Sequence, residues 1–182
     1  TDGEFRRSWW HFDFFGMLDG VEVVELDHGI QFQGVQTRPL GLQVGGRIGF
    51  SDTHPFLAHF RALADATAAT GATPKFTIPA PTVFDFRLEP AGITTGLYAD
   101  RDALVPDLVQ AYRDAVQAFY DAGCRYLQFD DTNLAYLCDT AQRERARARG
   151  EEPDARPRQY AQLINGALAS RPADMVTAIH LC

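Results

Sequence analysis

The sequence lacks any run near the roughly 18 apolar residues that a membrane-spanning helix needs, which excludes that class at once. It lacks a basic excess: 17 Lys and Arg stand against 24 Asp and Glu, a net charge of −7. Duplex-binding surfaces carry the opposite balance, so neither nucleic acid nor a membrane is expected as a partner. Cysteine is scarce, and Cys124, Cys138 and Cys182 are too few and too widely spaced for a secreted disulfide framework. No basic-then-apolar leader opens the sequence, so a cytoplasmic location is expected. There is no Gly-x-Gly-x-x-Gly after a strand pattern, so a dinucleotide fold has no support, and there is no internal repeat or low-complexity tract. Lysine occurs once, at Lys75.

What remains is an ordinary globular mix of 46% apolar and 23% charged residues, read as one domain over residues 1–182. Both ends look cut. The chain opens on Thr1 and stops directly after the apolar run Met175 to Ile179, so we expect a piece of a longer domain, with further strands beyond both ends.

Short apolar runs alternate with longer amphipathic ones. Strands are expected at Val21 to Leu26, Arg47 to Phe50, Lys75 to Ile78, Tyr126 to Asp130 and Val176 to His180. Asp52-Thr53-His54-Pro55 supplies capping side chains and a first-turn proline for a helix from Phe56 to Ala69. Val105, Leu108, Tyr112, Ala115, Val116 and Phe119 form one stripe of a helix from Arg101 to Ala122, closed by Gly123. A polar, Arg-rich stretch from Asp139 to Arg158 precedes a helix from Gln159 to Ala169. This alternation predicts an α/β fold with parallel strands. Periodicity alone leaves open whether it is part of an eight-stranded barrel or a small open sheet.

In both architectures ligands gather at the carboxyl ends of strands. Three such ends carry suggestive residues: Pro79-Ala80-Pro81, Asp130-Asp131-Thr132 and His180-Leu181-Cys182. Adjacent acids there often only cap the next helix. His180 and Cys182 are alternate residues of one strand and so share a face, aiming an imidazole and a thiol at one point. Zinc accepts both donors but needs four, or three and an open position.

Three segments then occur in order: Thr1-Asp2-Gly3-Glu4-Phe5-Arg6-Arg7, Gly123-Cys124-Arg125-Tyr126-Leu127-Gln128-Phe129-Asp130-Asp131-Thr132, and His180-Leu181-Cys182. Together they resemble the catalytic barrel of the cobalamin-independent methionine synthase family, especially its short single-barrel homologues. The resemblance implies a partial (β/α)8 TIM barrel and a zinc-dependent methyl transfer from a folate-type donor to the homocysteine thiol. It implies that His180 and Cys182 are two zinc ligands, the others lying beyond residue 182. It implies that Glu4 and Asp130 bind the substrate amino acid, with Asp131 as a candidate supporting residue behind them. The proton donor is expected beyond the chain end. Homocysteine's thiol is a poor nucleophile until deprotonated, and coordination to zinc would remove its proton.

The sequence also departs from that family. Around Ala80-Pro81 it carries Phe84, Asp85, Phe86 and Arg87 where a tryptophan contact to methyltetrahydrofolate is expected, and Tyr136 stands where a glutamate is expected. The thiol side is therefore better supported than the methyl donor. Two alternatives follow: a related zinc-dependent thiol alkyltransferase, such as the epoxyalkane:coenzyme M transferase type, or a catalytically silent barrel fragment acting as a binding module. Trp9-Trp10-His11-Phe12-Asp13 reads as packing rather than as a site. Arg143, Arg145, Arg147 and Arg149 read as a solvated surface that an anionic substrate tail could reach.

Overall fold

The computed structural model describes residues 6–27, 31–32, 35–36, 38–148 and 150–181. In chain order the elements are α1 (Phe12–Phe15), β1 (Asp19–Glu25), β2 (Gln31–Phe32), β3 (Val35–Gln36), β4 (Leu40–Gly49), α2 (Pro55–Thr67), β5 (Lys75–Pro79) and α3 (Pro81–Arg87). They continue as β6 (Leu88–Ile93), α4 (Arg101–Asp121), β7 (Tyr126–Asp131), α5 (Asn133–Tyr136), α6 (Thr140–Ala148), α7 (Arg156–Leu168) and β8 (Val176–Leu181).

The strands form three small sheets, of order β1-β4-β6, β2-β3 and β5-β7-β8, and none of them closes among the described residues. The pairs β4–β6, β5–β7 and β7–β8 are parallel, as the alternation of strands and helices requires. The fold is thus a mixed α/β arrangement with parallel strands.

One expected strand runs the other way: β1 pairs antiparallel with β4, with Val23 opposite Leu42. The cause is the connection. Parallel neighbours need a crossover, usually a helix, whereas the described elements between β1 and β4 are only the short antiparallel ribbon β2–β3. β4 also begins well before Arg47. Its glycines disguised a strand whose Leu42 and Val44 alternate as fully buried residues.

The helices follow their local chemistry. His54 caps α2, its Nδ1 accepting the Phe56 N–H at 3.2 Å, and Pro55 opens the first turn. Asp100 caps α4 by accepting the Ala103 N–H at 2.9 Å. Gly123, at φ +98°, ends α4 in a left-handed turn whose N–H reaches back to the Tyr120 carbonyl at 2.9 Å. The Arg-rich stretch holds α6, which local periodicity did not reveal. Asp139 caps that helix by accepting the Gln142 N–H, and Arg143 and Arg147 pair with Asp154 beyond it.

The core lies between α2, α4 and one face of β5 and β7. Phe76 of β5 meets Phe56, Phe60 and Phe119 with ring centroids 5.2–6.2 Å apart, and Phe129 of β7 meets Tyr112 at 5.5 Å. Each of these rings is essentially inaccessible to solvent. Fully burying one such side chain contributes about 1.5–3 kcal/mol, so this face sets the orientation of the sheet. Cys124 is buried in the same core, where desolvation pushes its thiol up to about 11 and leaves it unreactive. α3, α4 and α7 are tied together at Asp85, which meets Arg156 at 3.0 Å and Arg101 at 3.6 Å. Burial raises the Asp85 carboxyl even against those two cations.

Two buried histidines make the fold sensitive to acid. His54 donates from Nε2 to the Phe14 carbonyl at 3.0 Å while Nδ1 accepts, a pairing that needs the neutral ring. Burial lowers its pKa to about 4, and burial with the nearby Arg87 charge lowers that of His11 to about 3. A base whose pKa falls on folding leaves stability whole above its unfolded value of 6.5 and erodes it as pH drops toward the folded value. Each such group costs about 1.4 kcal/mol per pH unit in that window. Urea unfolding at pH 7 and pH 5 should show a loss on the order of 2–4 kcal/mol, and a flat profile would contradict the burial of both rings.

Candidate functional site

The site grows from the alternation of β7. Leu127, Phe129 and Asp131 point to the buried face and are at most 1% exposed, while Tyr126, Gln128 and Asp130 point to the other, partly open face. Parallel pairing then lines up Pro79 of β5, Asp130 of β7 and His180 of β8 as one row at the carboxyl ends of the strands.

Within that row the Asp130 carboxylate lies 3.7 Å from the Nδ1 of His180, which is half exposed. The same carboxylate oxygen accepts a 2.6 Å hydrogen bond from the Gln128 side-chain amide, two residues back on the same face. Gln128 thus holds Asp130 upright beside the imidazole. At 3.7 Å the two groups approach within ion-pair range without forming a hydrogen bond. Among the described residues no third His, Cys, Asp or Glu joins these two in a metal-sized cluster. The donor chemistry of His180 fits zinc. Cys182 and Glu4 lie outside the described residues.

Asp131 behaves differently from its neighbour. It is 1% exposed and faces away from the row. Its carboxylate accepts from the Thr82 hydroxyl at 2.6 Å and from the backbone N–H groups of Asn133 and Leu134 at 2.7 and 3.2 Å. It caps α5, as one reading of adjacent acids foresaw, and it also ties α5 to α3.

Residues near this strand end that the sequence did not single out include Gln128, Thr82 and Arg7. Arg7 donates to the Thr77 carbonyl at 2.6 Å and stands 4.6 Å over the Phe56 ring. Gln128 was detectable, since it shares a strand face with Asp130. Thr82 gave no signal, because its partner is 49 residues away. Phe86 and Tyr136 stack on each other, with centroids 5.0 Å apart and planes 8° from parallel. A separate cavity of about 340 Å³ opens between α4 and α7, beside Asp85, Arg156 and Tyr160, and includes none of the strand-end row. Strand-end chemistry, not cavity size, decides the candidate site here.

A parallel α/β sheet with an acid–imidazole pair at its carboxyl ends defines the class, and the comparisons narrow it. The proteins YxjH and YxjG of Bacillus subtilis (strain 168) are 44% identical over 182 residues and 45% identical over 183 residues. The match takes in all of this chain but only 47% of each relative, so the chain spans about half the length of the curated relatives it matches. A Listeria monocytogenes protein, described as a candidate vitamin-B12-independent methionine synthase, superposes with a TM-score of 0.76 at 40% identity. The match covers all of this chain and 48% of that one. A B12-independent methionine synthase from Shewanella sp. W3-18-1, in complex with selenomethionine, gives a TM-score of 0.67 over 45% of its length. At 17% identity it shows the shared fold alone. No family model matches the chain. The structural neighbours of this chain are cobalamin-independent methionine synthase-like proteins, as its motifs led us to expect.

The two adjacent acids should respond differently to substitution. Asp131→Ala strands one hydroxyl and two N–H donors and should cost about 2–4 kcal/mol in urea unfolding. Asp130→Asn keeps an acceptor for Gln128 and should change stability by less than about 0.5 kcal/mol. Equal losses would show that the two carboxylates are not divided between faces.

Proposed function

We propose that this chain forms part of a zinc-dependent methyltransferase that moves a methyl group from a folate-type donor to the homocysteine thiol, yielding methionine. We propose further that its parallel strands are a segment of a (β/α)8 barrel. The observation that carries the reading is the meeting of Asp130 and His180 on one face at the strand ends.

Each residue has a definite task in this reading. His180 and Cys182 hold the metal, joined by groups from the part of the protein that the longer relatives possess. When bound, zinc would supply the acidity that keeps the substrate thiol deprotonated at neutral pH. Asp130, buttressed by Gln128, receives the ammonium group of the amino acid through a charge-assisted hydrogen bond, with Glu4 as its partner. The Asp130 carboxylate also orients the His180 ring. Homocysteine is the proposed partner on the thiol side.

A second reading keeps the thiol chemistry and changes the donor, as in alkyltransferases of the epoxyalkane:coenzyme M type. The stack of Phe86 on Tyr136 favours it, since those segments carry aromatic packing where folate contacts were expected.

The deciding measurement is metal content. The full-length protein carrying this chain should bind one zinc, and His180→Ala or Cys182→Ser should each remove it. The 182-residue chain alone, with two of the four groups zinc requires, should hold the metal weakly and lack alkyltransferase activity. Stoichiometric zinc persisting in both variants would reject the assignment and show that the ligands lie elsewhere.

A further inference from the structure

The segment after β5 is short of donors. Pro79 and Pro81 have no N–H, so the last backbone tie from this segment to β7 is the Ala80 N–H donating to the Asp130 carbonyl at 2.9 Å. The next tie is made by a side chain: the Thr82 hydroxyl donates to Asp131 at 2.6 Å. Both partners of that bond are at most 1% exposed, and a short hydrogen bond to a carboxylate in dry surroundings is a strong one. One helical turn further, Phe86 lies four residues after Thr82 on α3, and Tyr136 lies three residues after Asn133 on α5. Their rings stack, so the two helices touch again directly beyond the hydrogen bond.

We infer that Thr82 and Asp131 are positioning residues whose hydrogen bond fixes where Asp130 stands on the open face. Ala80 grips the Asp130 carbonyl and Thr82 grips the next side chain, so the peptide between Asp130 and Asp131 is held from two points by one neighbouring segment. Asp131 also takes the Asn133 and Leu134 N–H groups, which stops the chain from turning before β7 has completed its alternation. Without the Thr82 bond the end of β7 can rotate, and the Asp130 carboxylate leaves Gln128 and His180. Asp131 itself touches neither of those side chains among the described contacts and acts only through the backbone.

This inference bears on the proposed amino acid site, but its first test is independent of any ligand. The Gln128 side-chain amide, bonded to Asp130, reports the position of that carboxylate by NMR in the 182-residue chain. Thr82→Val should move the Gln128 NH2 signals toward those of a free glutamine, and Thr82→Ser, which keeps the hydroxyl, should restore them. A merely structural role would lower the melting temperature of Thr82→Val and leave the Gln128 signals in place, which would overturn the inference. The second arm is calorimetric titration of the full-length protein with L-homocysteine, where Thr82→Val should weaken binding on the order of tenfold and Asp130→Asn by at least as much. Equal binding by wild type and Asp130→Asn, or none by wild type, rejects the substrate reading alone, since the Gln128 signals still decide the positioning role.

Discussion

The candidate site depends on one constraint, the register of β7. Its six residues alternate between a face buried against α2 and α4 and a face left partly open. A slip of one residue would bring Leu127 and Phe129 out of the core and bury Gln128 and Asp130 in their place. The apolar loss alone is about 3–6 kcal/mol, and an unpaired buried carboxylate adds to it. That cost excludes the slipped state. The same register that packs Phe129 against Tyr112 therefore sets Asp130 beside His180, so the core and the site are two faces of one strand.

The parts of this architecture that show in the sequence are those decided by local chemistry. β5, β7 and β8 show as short apolar runs ended by proline, paired acids and His-x-Cys. α2 and α4 show through their caps, their apolar stripes and Gly123. Strand direction is not a local property, and so β1 was expected to run parallel although it is antiparallel to β4. α6 stayed hidden because its polar composition gives little apolar stripe, and its arginines find their acid, Asp154, beyond the helix end. The candidate site divides in the same way. Asp130 and His180 were visible as strand-end residues, whereas the bond from Thr82 to Asp131 joins segments 49 residues apart and leaves no mark on either.

Asp130 and Asp131 show how little residue type decides by itself. They are adjacent and chemically identical, yet one stands on an open face with an amide and an imidazole around it. The other is enclosed by a hydroxyl and two backbone N–H groups. Strand alternation does the sorting, because consecutive side chains cannot share a face. A pair of acids at the end of a parallel strand is therefore suited to two tasks at once: the residue on the open face is free for a ligand, and the next is free to fix the turn that follows.

The likeness to known proteins and this geometry bear on different questions. Identity of 40–45% reaches across the whole chain, while the match takes in only about half of each relative. In the proposed function this chain would supply the acid–imidazole pair and the positions that hold it. In the proposed reaction the donor side would follow other residues. A planar donor inserting between Phe86 and Tyr136 would need about 7 Å between the rings, twice the usual stacking distance, where the centroids now stand 5.0 Å apart. In the proposed reaction the two rings would have to part to admit such a molecule, or the donor would have to be small enough to reach the thiol without touching them. In the proposed reaction the thiol side would thus stay constant while this aromatic contact set which carbon reaches it.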